Sequence, residues 1–336
     1  DKLETNVSWW TNGFWGGFMW QLYTLDKSEI FRENAEFVEE QLDQTLMDYH
    51  ALDHDNGFKW LQTSVGNYRQ FKNEKSKNRA ILAAGDLAGR FNTLGGFIRA
   101  WNDWGDDVDR RGWAIIDCMM NLPLLYWASE ETGDPRYAQI AKAHADTTIA
   151  NFIRGDGSSA HIVEFDMETG ERVRSYGGQG YEVGSSWTRG QAWALYGMAL
   201  SYKHTKEERY LDCAKRVANY FIANIPDNGL IPVDFRQPHE PNYEDSTAAA
   251  IAASGLLEIA KFSEGRDKEI YTHHAERLLD ALIEKRCVFS HEIDNLLEKC
   301  TEAYHSEENR EGTIIYGDYF FVEALMKHSG EELDLW

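Results

Sequence analysis

The chain has 336 residues, a formal net charge of −22 and only six prolines. The negative charge argues against binding to nucleic acid, whose phosphates require a basic surface, and against binding to an anionic membrane surface. Its apolar runs are too short for a transmembrane helix, and its first residues do not resemble a signal peptide. No Pro-, Gly- or Ser-rich linker divides it, so we predict one domain over residues 1–336.

Two kinds of predicted helix alternate along the chain. The first kind is apolar on nearly every face, as expected of a helix buried all round, and the second is amphipathic and charged. Short polar turns join them into αα-hairpins that recur every 50 to 75 residues or so, roughly the spacing of a helical repeat or toroid. This pattern predicts an all-α, closed, double-layered barrel. Inner helices are expected to begin near residues 13, 58, 115, 187, 246 and 317, and outer helices near 27, 74, 135, 207 and 267.

The two layers are unequal in this count. Six inner helices face five outer ones, so we expect the missing outer helix to precede Asp1. One β-hairpin is the only clear sheet signal. Residues 160–165 and 171–175 flank a Gly-containing turn at 166–170.

The cysteine and histidine patterns bear on compartment and cofactors. The four cysteines show no C-x-x-C spacing and lie mostly in apolar contexts, so we interpret them as free thiols of a cytoplasmic protein. No H-E-x-x-H motif is present. We therefore predict neither a metal site nor a cofactor. The sequence specifies no oligomeric state.

The segment from Ser186 to Trp193 places two indoles, a guanidinium and an amide within about two helical turns. Indole faces cover the apolar face of a pyranose ring, and Arg and Gln supply donors for hydroxyls and carboxylates. The alternative is an aromatic stripe packed in a helical core. The chain has twelve Trp residues, and their positions favour sugar binding. Six of them lie in or beside Gly- or Asp-rich connections, namely Trp9, Trp10, Trp15, Trp101, Trp104 and Trp113.

Two carboxylates stand out in connections that lead into inner helices. Asp117 interrupts the apolar segment 113–120, where a carboxylate is costly unless it is hydrogen-bonded. It is either a cap at the start of a helix or an acid whose pKa is raised by desolvation. Asp55 precedes Asn56 and Gly57, so it is either a turn residue or a second acid. These connections are predicted to converge on one end of the barrel, where helix N-termini favour a carboxylated ligand.

Six motifs follow one another along nearly the whole chain. They are residues 10–15 (WTNGFW), 52–58 (LDHDNGF), 115–125 (IIDCMMNLPLL), 185–193 (SSWTRGQAW), 245–249 (DSTAA) and 316–325 (YGDYFFVEAL). In sequence and order they resemble the motifs of the unsaturated glucuronyl hydrolases of glycoside hydrolase family 88.

The resemblance implies an (α/α)6 barrel in which Asp117 is the general acid/base and Asp55 the second catalytic carboxylate. It also implies a set of sugar-contacting residues, among which only His161 lies on the predicted hairpin. They are Trp10, His54, Trp101, His161, Gln179, Trp187, Arg189, Trp193, Tyr304 and His305.

The same resemblance implies a substrate class. This is a glycosaminoglycan-type oligosaccharide whose non-reducing end carries the 4,5-unsaturated uronic acid left by a polysaccharide lyase. Protonation at C4 and addition of water at C5 would then lead to loss of the glycosidic bond. Two alternatives stay open, namely an unsaturated rhamnogalacturonyl hydrolase acting on pectin fragments and a non-catalytic carbohydrate-binding toroid.

The chain departs from the family pattern at positions that bear on sulfation. Gly178 stands where family members carry a larger His or Arg, so a donor on the substrate side is missing. Around Ala303, Ser306 and Glu308, the Ser/Ser/Lys group that sulfate-accepting members use is incomplete, and an acid replaces the Lys. We therefore expect unsulfated substrates to be preferred.

Overall fold

The structure is a computed structural model that describes residues 3–102, 105–290, 292–331 and 333–336. Its chain forms two compact units. The first comprises Asp1–Thr147, Glu164–Arg174 and Leu333–Trp336, and the second comprises Thr148–Val163 and Ser175–Glu332. The single domain over residues 1–336 stays a prediction. Trp104 and the helix expected before Asp1 lie outside the described residues.

The helices that begin in the first unit follow the predicted alternation. They are α1 Asn12–Asp26, α2 Glu29–Leu42, α3 Asn56–Trp60, α4 Gly66–Phe71, α5 Glu74–Gly89, α6 Leu122–Thr132 and α7 Pro135–Asn151. A π-helical turn, Leu61–Val65, joins α3 to α4, and every residue of α3 and of this turn is buried. In α2, by contrast, only Ala35, Val38, Glu39 and Leu42 are buried, at the spacing of one helix face.

The second unit repeats this contrast. Its helices are α8 Thr188–Thr205, α9 Glu208–Ala223, α10 Ser246–Lys261, α11 Gly265–Lys285 and α12 Ile315–Ser329. Residues 246–260 of α10 are all buried, whereas α9 buries only the face formed by residues such as Tyr210, Ala214, Val217 and Phe221. Helix α10 packs against α8, α11 and α12. A helix enclosed in this way needs an apolar surface all round, which is the pattern by which the sequence predicted inner helices.

The predicted β-hairpin is confirmed. It consists of β4 Ile162–Phe165 and β5 Arg172–Tyr176, and the Asp166 amide donates to the Glu171 carbonyl at 2.8 Å across the turn. Three short strands were not predicted, namely β1 Phe91–Asn92, β2 Phe97–Ile98 and β3 Trp113–Ile115. Strands β1 and β2 pair antiparallel, with Phe91 opposite Ile98. The other three strands form a sheet in the order β3-β4-β5.

One predicted helix start is wrong. The helix expected near residue 115 begins at Leu122, and the chain before it forms β3 and a 3₁₀ turn, Ile116–Met120. Proline fits an α-helix only in its first turn, so Pro123 sets this later start. Residue 112 is also engaged by the sheet, since its carbonyl accepts from the Phe165 amide at 2.8 Å.

Left-handed residues end several of the buried helices and begin the turn to the next helix. They are Lys27 after α1, Lys72 after α4, Gly133 after α6 and Lys206 after α8, with φ values of 59°, 53°, 70° and 58°. In each case the amide of this residue donates to the carbonyl four residues earlier, which closes the last turn. The repeat seen in the sequence thus corresponds to a repeated helix end.

A buried polar cluster ties three helices of the second unit together. Glu323 on α12 accepts hydrogen bonds from Tyr196 on α8, Ser254 on α10 and Tyr319 on α12. Lys327 donates to the carboxylate of Glu258 at 2.9 Å and lies 3.6 Å from that of Glu323. Both carboxylates are therefore buried with hydrogen-bond partners and a cation, as buried charges require.

The described part of the chain lacks two features. No helix in it combines the length and apolarity needed to cross a membrane. It also contains no group of three or more His, Cys, Asp or Glu side chains placed to hold a metal ion. The four cysteines, Cys118, Cys213, Cys287 and Cys300, are all free thiols, as predicted.

Candidate active site

In the first unit, a turn before α3 presents the carboxylate of Asp55. The turn is held by another residue, because the Asp55 amide donates to Asp53 Oδ1 at 2.9 Å. Asp55 occupies the N-cap position of α3, but its side chain makes no capping hydrogen bond. Its carboxylate, on a side chain that is mostly buried, is therefore used by neither the turn nor the helix cap.

Asn121 connects Asp55 to Asp117. Its Nδ2 lies 3.4 Å from Asp55 Oδ1 and 3.3 Å from the Asp117 carbonyl, and its Oδ1 accepts from the Phe58 amide at 2.7 Å. The helices approach closely here, since a Cβ added to Gly57 would lie 2.4 Å from Asn121 Cα. We call His54, Asp55, Asp117 and Asn121 the acid group.

Asp117 lies on the 3₁₀ turn that precedes α6. It is partly exposed, whereas Ile116 and Cys118 on either side are buried. Asn121, not Asp117, occupies the N-cap position of α6. The interpretation of Asp117 as the cap of that helix is therefore not supported.

Two members of the acid group, Asp55 and His54, are shifted toward their neutral forms. Burial raises the pKa of Asp55 well above its usual range, and the nearby charges of Asp53 and Asp117 raise it further. Burial also lowers the pKa of His54 to about 4, so this imidazole is neutral at pH 7. Its Nε2 lies 3.5 Å from Asp55 Oδ2, which is thus a contact between a neutral ring and a carboxyl group.

Aromatic side chains flank this group. Trp101 lies edge-on to His54, with ring centroids 6.3 Å apart, and contacts Trp113 at 6.1 Å. Trp10 packs on Phe58 at 5.3 Å. Trp10 and Trp101 are each only partly buried, so both retain surface that could contact a sugar ring.

The second unit brings together another set of predicted site residues. We call His161, Gln179, Trp187, Arg189 and Tyr304 the donor group. The Gln179 amide donates to His161 Nδ1 at 3.0 Å, and the Gly177 carbonyl lies 3.3 Å from the same nitrogen. The Gln179 contact is the shorter of the two and requires Nδ1 to accept, so the proton of a neutral His161 is assigned to Nε2. The Gln179 carbonyl accepts from the Tyr304 amide at 2.9 Å. Three segments that are distant in sequence are thereby joined.

The presence of glycine at position 178, in place of a residue with a side chain, has a steric explanation. Gly178 has a φ of 58°, and a Cβ added to it would lie 2.0 Å from His161 Nδ1. Any larger residue here would displace the imidazole from its present position. The family departure at Gly178 and the placement of His161 are therefore one feature.

Arg189 is almost wholly enclosed, with 1% of its surface exposed. Its Nη1 donates to Asp245 Oδ2 at 2.7 Å and to the Thr301 carbonyl, and its Nη2 donates to the Glu302 carbonyl at 2.6 Å. The guanidinium carbon lies 4.5 Å from the centroid of the Trp187 ring. Several of its donors are thus already used within the protein.

The two indoles of the 186–193 segment are also buried. Trp187 is 3% exposed and contacts the His161 ring at 4.2 Å, whereas Trp193 is fully buried against Tyr316 and Phe320. For Trp193 this burial favours the alternative of core packing. Sugar contact by either indole stays a prediction.

Tyr304 and His305 belong to a cluster of rings. Tyr304 contacts Tyr181 at 4.9 Å, Tyr243 at 5.4 Å and His305 at 4.9 Å. His305 is exposed, and its Nε2 lies 2.7 Å from the Tyr181 carbonyl. Tyr181 was not singled out from the sequence, although it follows Gln179 by two residues.

Two further residues were missed at the level of the sequence. Asn121 is a fully buried polar residue in an apolar segment, which is the same signal that identified Asp117. Asp245 is fully buried and contacts Arg189, but it lies 56 positions away in the chain. No local sequence pattern pairs Asp245 with Arg189. Convergence of the acid group and the donor group on one substrate stays a prediction.

Comparison with known proteins gives consistent results. Residues 1–321 match the family model described as Glycosyl Hydrolase Family 88. The chain is 38% identical to the unsaturated glucuronyl hydrolase of Bacillus sp. (strain GL1), over 97% of this chain and 87% of that protein. It is 35% identical to the unsaturated chondroitin disaccharide hydrolase of Streptococcus pneumoniae, over 95% of this chain and 81% of that protein.

Solved structures agree with these matches. One of them, a variant of an unsaturated glucuronyl hydrolase (UGL) with dGlcA-Glc-Rha-Glc, superposes with a TM-score of 0.92 at 35% identity. The match covers 96% of this chain and 87% of that one. The likeness confirms the predicted fold class, the all-α (α/α)6 barrel.

Proposed function

The chain belongs to glycosyl hydrolase family 88, and on that premise we propose that it removes the 4,5-unsaturated uronic acid from the non-reducing end of lyase-generated, glycosaminoglycan-type oligosaccharides. The observation that carries the proposal is the acid group. In it, two carboxyl-bearing residues are joined by Asn121, and burial together with the nearby charges of Asp53 and Asp117 raises the pKa of Asp55. Two carboxyl groups coupled in this way can hold one proton and release it to a substrate.

Asp117 is assigned the proton transfers. It delivers a proton to C4 of the C4=C5 enol ether, and the positive charge that forms is shared between C5 and the ring oxygen. The resulting carboxylate takes a proton from water as the water oxygen bonds to C5. The hemiketal opens to a ketone at C5, C1 becomes an aldehyde, and the aglycone leaves with its own oxygen. Asp117 ends protonated, so the cycle consumes one water and no other reagent.

Asp55 is assigned control of that proton. It is the more buried of the two acids, and its neutral form is favoured by desolvation. Loss of a proton from the pair places a negative charge on one of the two carboxylates, which opposes ionisation of the other. The pair therefore titrates as a unit, and its proton stays available at a pH where an isolated aspartate would be ionised.

The donor group and the aromatic residues near the acid group are assigned to substrate binding. His161, with its proton on Nε2, and Gln179 supply hydrogen-bond donors, while Trp10 and Trp101 supply partly exposed indole faces. The remaining predicted contacts are those of His54, Trp187, Arg189, Trp193, Tyr304 and His305.

A preference for unsulfated substrates is part of the proposal. Glu307 and Glu308 are both exposed in the segment after His305. The side chain of Arg310 lies 3.8 Å from Glu307. Exposed carboxylates repel a sulfate group, and Glu308 stands where sulfate-accepting family members supply a cation.

We also propose a single domain over residues 1–336 and a cytoplasmic location. The four free cysteines favour a reducing compartment, because the thiols of exported proteins tend to be oxidised to disulfides. Measuring the enzyme in separated cytoplasmic and exported fractions tests the location. A single cooperative unfolding transition in calorimetry would support one domain, whereas two separate transitions would contradict it.

Turnover of a panel of unsaturated disaccharides tests the activity. The conjugated enoate absorbs ultraviolet light, and hydration of its double bond removes this absorbance. We expect loss of absorbance with disaccharides that carry unsaturated glucuronate. Turnover of pectin-derived unsaturated rhamnogalacturonyl disaccharides alone would favour that alternative, and binding of every sugar without turnover would favour a non-catalytic toroid.

A further inference from the structure

Asp245 is a fully buried carboxylate at the start of α10. Its Oδ1 accepts from the Thr247 amide at 3.1 Å, as a helix N-cap, and also from the Thr301 amide at 3.2 Å. Its Oδ2 accepts from Arg189 Nη1 at 2.7 Å. One carboxylate thus contacts the first turn of α8, the first turn of α10 and the segment that leads to Tyr304.

The segment that begins at Thr301 is held from several sides. The Thr301 hydroxyl donates to the Glu244 carbonyl at 2.6 Å, next to Asp245 in the chain. Arg189 donates to the carbonyls of Thr301 and Glu302. Because Arg189 is in turn paired with Asp245, its guanidinium is oriented toward these carbonyls by a charge-assisted hydrogen bond.

The same segment carries a predicted substrate contact. The Tyr304 amide, three positions after Thr301, donates to the carbonyl of Gln179 at 2.9 Å. Gln179 in turn donates through its amide to His161. Hydrogen bonds and the backbone of residues 301–304 therefore connect Asp245 through Arg189 to Tyr304, Gln179 and His161.

We propose that Asp245 is a positioning residue for substrate binding, which acts through Arg189 and Thr301 to fix Tyr304 and Gln179. This inference rests on the function proposed above, because it assumes that the donor group binds the sugar. It also assigns Arg189 a second task, which is to hold the 301–304 segment in addition to any contact with substrate. Nothing in it requires Asp245 to touch the substrate.

Asp245→Asn separates charge from shape. The amide oxygen of Asn can still accept from Thr247 and Thr301, but its NH₂ group now faces the donors of Arg189. The guanidinium loses its anionic partner, and its hold on the two carbonyls weakens. We expect KM to rise on the order of tenfold while kcat falls by less than about threefold, because the acid group is untouched.

Thr301→Val is a second variant that preserves side-chain volume. It removes the hydrogen bonds that the Thr301 hydroxyl donates to the Glu244 carbonyl and accepts from the Glu311 amide, and it leaves the charges in place, so KM should rise a few-fold. Glu323→Gln is the matched control, since it neutralises another buried carboxylate of the second unit, in the cluster that ties α8, α10 and α12 together. It should lower the melting temperature without changing KM.

Two further measurements separate positioning from general destabilisation. If Asp245 acts through the 301–304 segment, the double variant Asp245→Asn/Tyr304→Ala should have a KM within about twofold of the weaker-binding single variant. Hydrogen exchange of the Thr301 and Tyr304 amides should accelerate in Asp245→Asn and stay unchanged in Glu323→Gln. The exchange measurement needs no substrate.

The outcomes distinguish this inference from the proposed function. Wild-type enzyme that turns over no unsaturated disaccharide overturns the proposed function, while exchange still tests whether Asp245 holds the segment. If the wild type is active, unchanged KM in both Asp245→Asn and Thr301→Val overturns the positioning role. Fully multiplicative KM changes in the double variant, or amide exchange equal to that of the wild type, also overturn it.

Discussion

One buried aspartate belongs to the acid group and another contacts Arg189 of the donor group, but the charges that surround them differ. In the acid group, burial makes ionisation of Asp55 less favourable, and the like charges of Asp53 and Asp117 add to this effect. Beside the donor group, Asp245 lies 2.7 Å from the Arg189 guanidinium, and opposite charges fix the geometry. A carboxyl group that resists ionisation suits proton transfer, whereas a paired carboxylate suits the positioning of neighbours. Substitutions in the first group should therefore lower kcat, and those in the second should raise KM.

The largest effect is expected for Asp117→Asn. An amide cannot deliver a proton to C4, so kcat should fall by a factor on the order of 10² to 10⁴, with KM nearly unchanged. Steady-state kinetics on an unsaturated disaccharide checks this. Asp109→Asn, at an exposed position, is the control and should behave as wild type. Retention of more than about a tenth of the wild-type kcat would remove Asp117 from its assigned role.

Asp55→Asn should also be severe, with kcat reduced by a factor on the order of 10². Its distinguishing effect is on the pH–rate profile. In the wild-type pair, loss of the second proton is opposed by the negative charge that loss of the first leaves behind. A neutral amide at position 55 removes this opposition, so Asp117 ionises at a lower pH than that at which the pair loses its last proton. The basic limb of kcat/KM should therefore move to lower pH in the residual activity. A basic limb that stays in place, or moves upward, would show that the two carboxyl groups do not titrate as a pair.

Gln179→Leu tests the donor group with a smaller expected effect. Loss of a side-chain hydrogen bond to the sugar should raise KM about tenfold and leave kcat within about twofold. The backbone contacts of Gln179 to His161 and Tyr304 are retained in this variant. Gln44→Leu, at an exposed position of the first unit, serves as the control. A fall in kcat at constant KM would contradict the division of labour between the two groups.

Glu308→Lys is expected to have the smallest effect. Replacing an exposed acid by a cation should narrow the preference for unsulfated over sulfated disaccharides roughly three- to fivefold in kcat/KM, and less at high salt. Glu40→Lys, exposed on α2, controls for net charge. Gly178→Arg is a poor test of the same idea, because any side chain there collides with His161. Equal preference ratios for wild type and Glu308→Lys would show that residue 308 does not meet the sulfate.

Much of the fold was predictable because burial acts on whole helices. The uniform apolarity of α8 and α10 and the one-sided apolarity of α9 follow from their neighbours, so the spacing of apolar residues identified both kinds of helix. The start of α6 was placed too early because the apolar segment 113–120 satisfies a strand and a 3₁₀ turn as well as a helix. Pro123 was the local signal that would have corrected it.

The turns and the long-range pairs were harder to predict. Lys27, Lys72 and Lys206 adopt left-handed φ values that usually indicate glycine, so their residue type gave no signal. Asp117 was found because its own segment is apolar, whereas Asp245 lies at a helix start where aspartate is ordinary. Its role depends on Arg189 and Thr301, and only the tertiary structure brings these residues to it.

The site of water addition tests the central claim most directly. The reaction is run in oxygen-18 water and stopped early by borohydride reduction, which prevents later exchange of the carbonyl oxygens with solvent. Unlabelled product incubated in the same water gives the exchange background. Protonation at C4 by Asp117 followed by hydration predicts oxygen-18 at C5 of the released uronic acid. Oxygen-18 at C1 instead would mean direct displacement at the anomeric carbon, with Asp117 and Asp55 acting as an ordinary glycosidase pair.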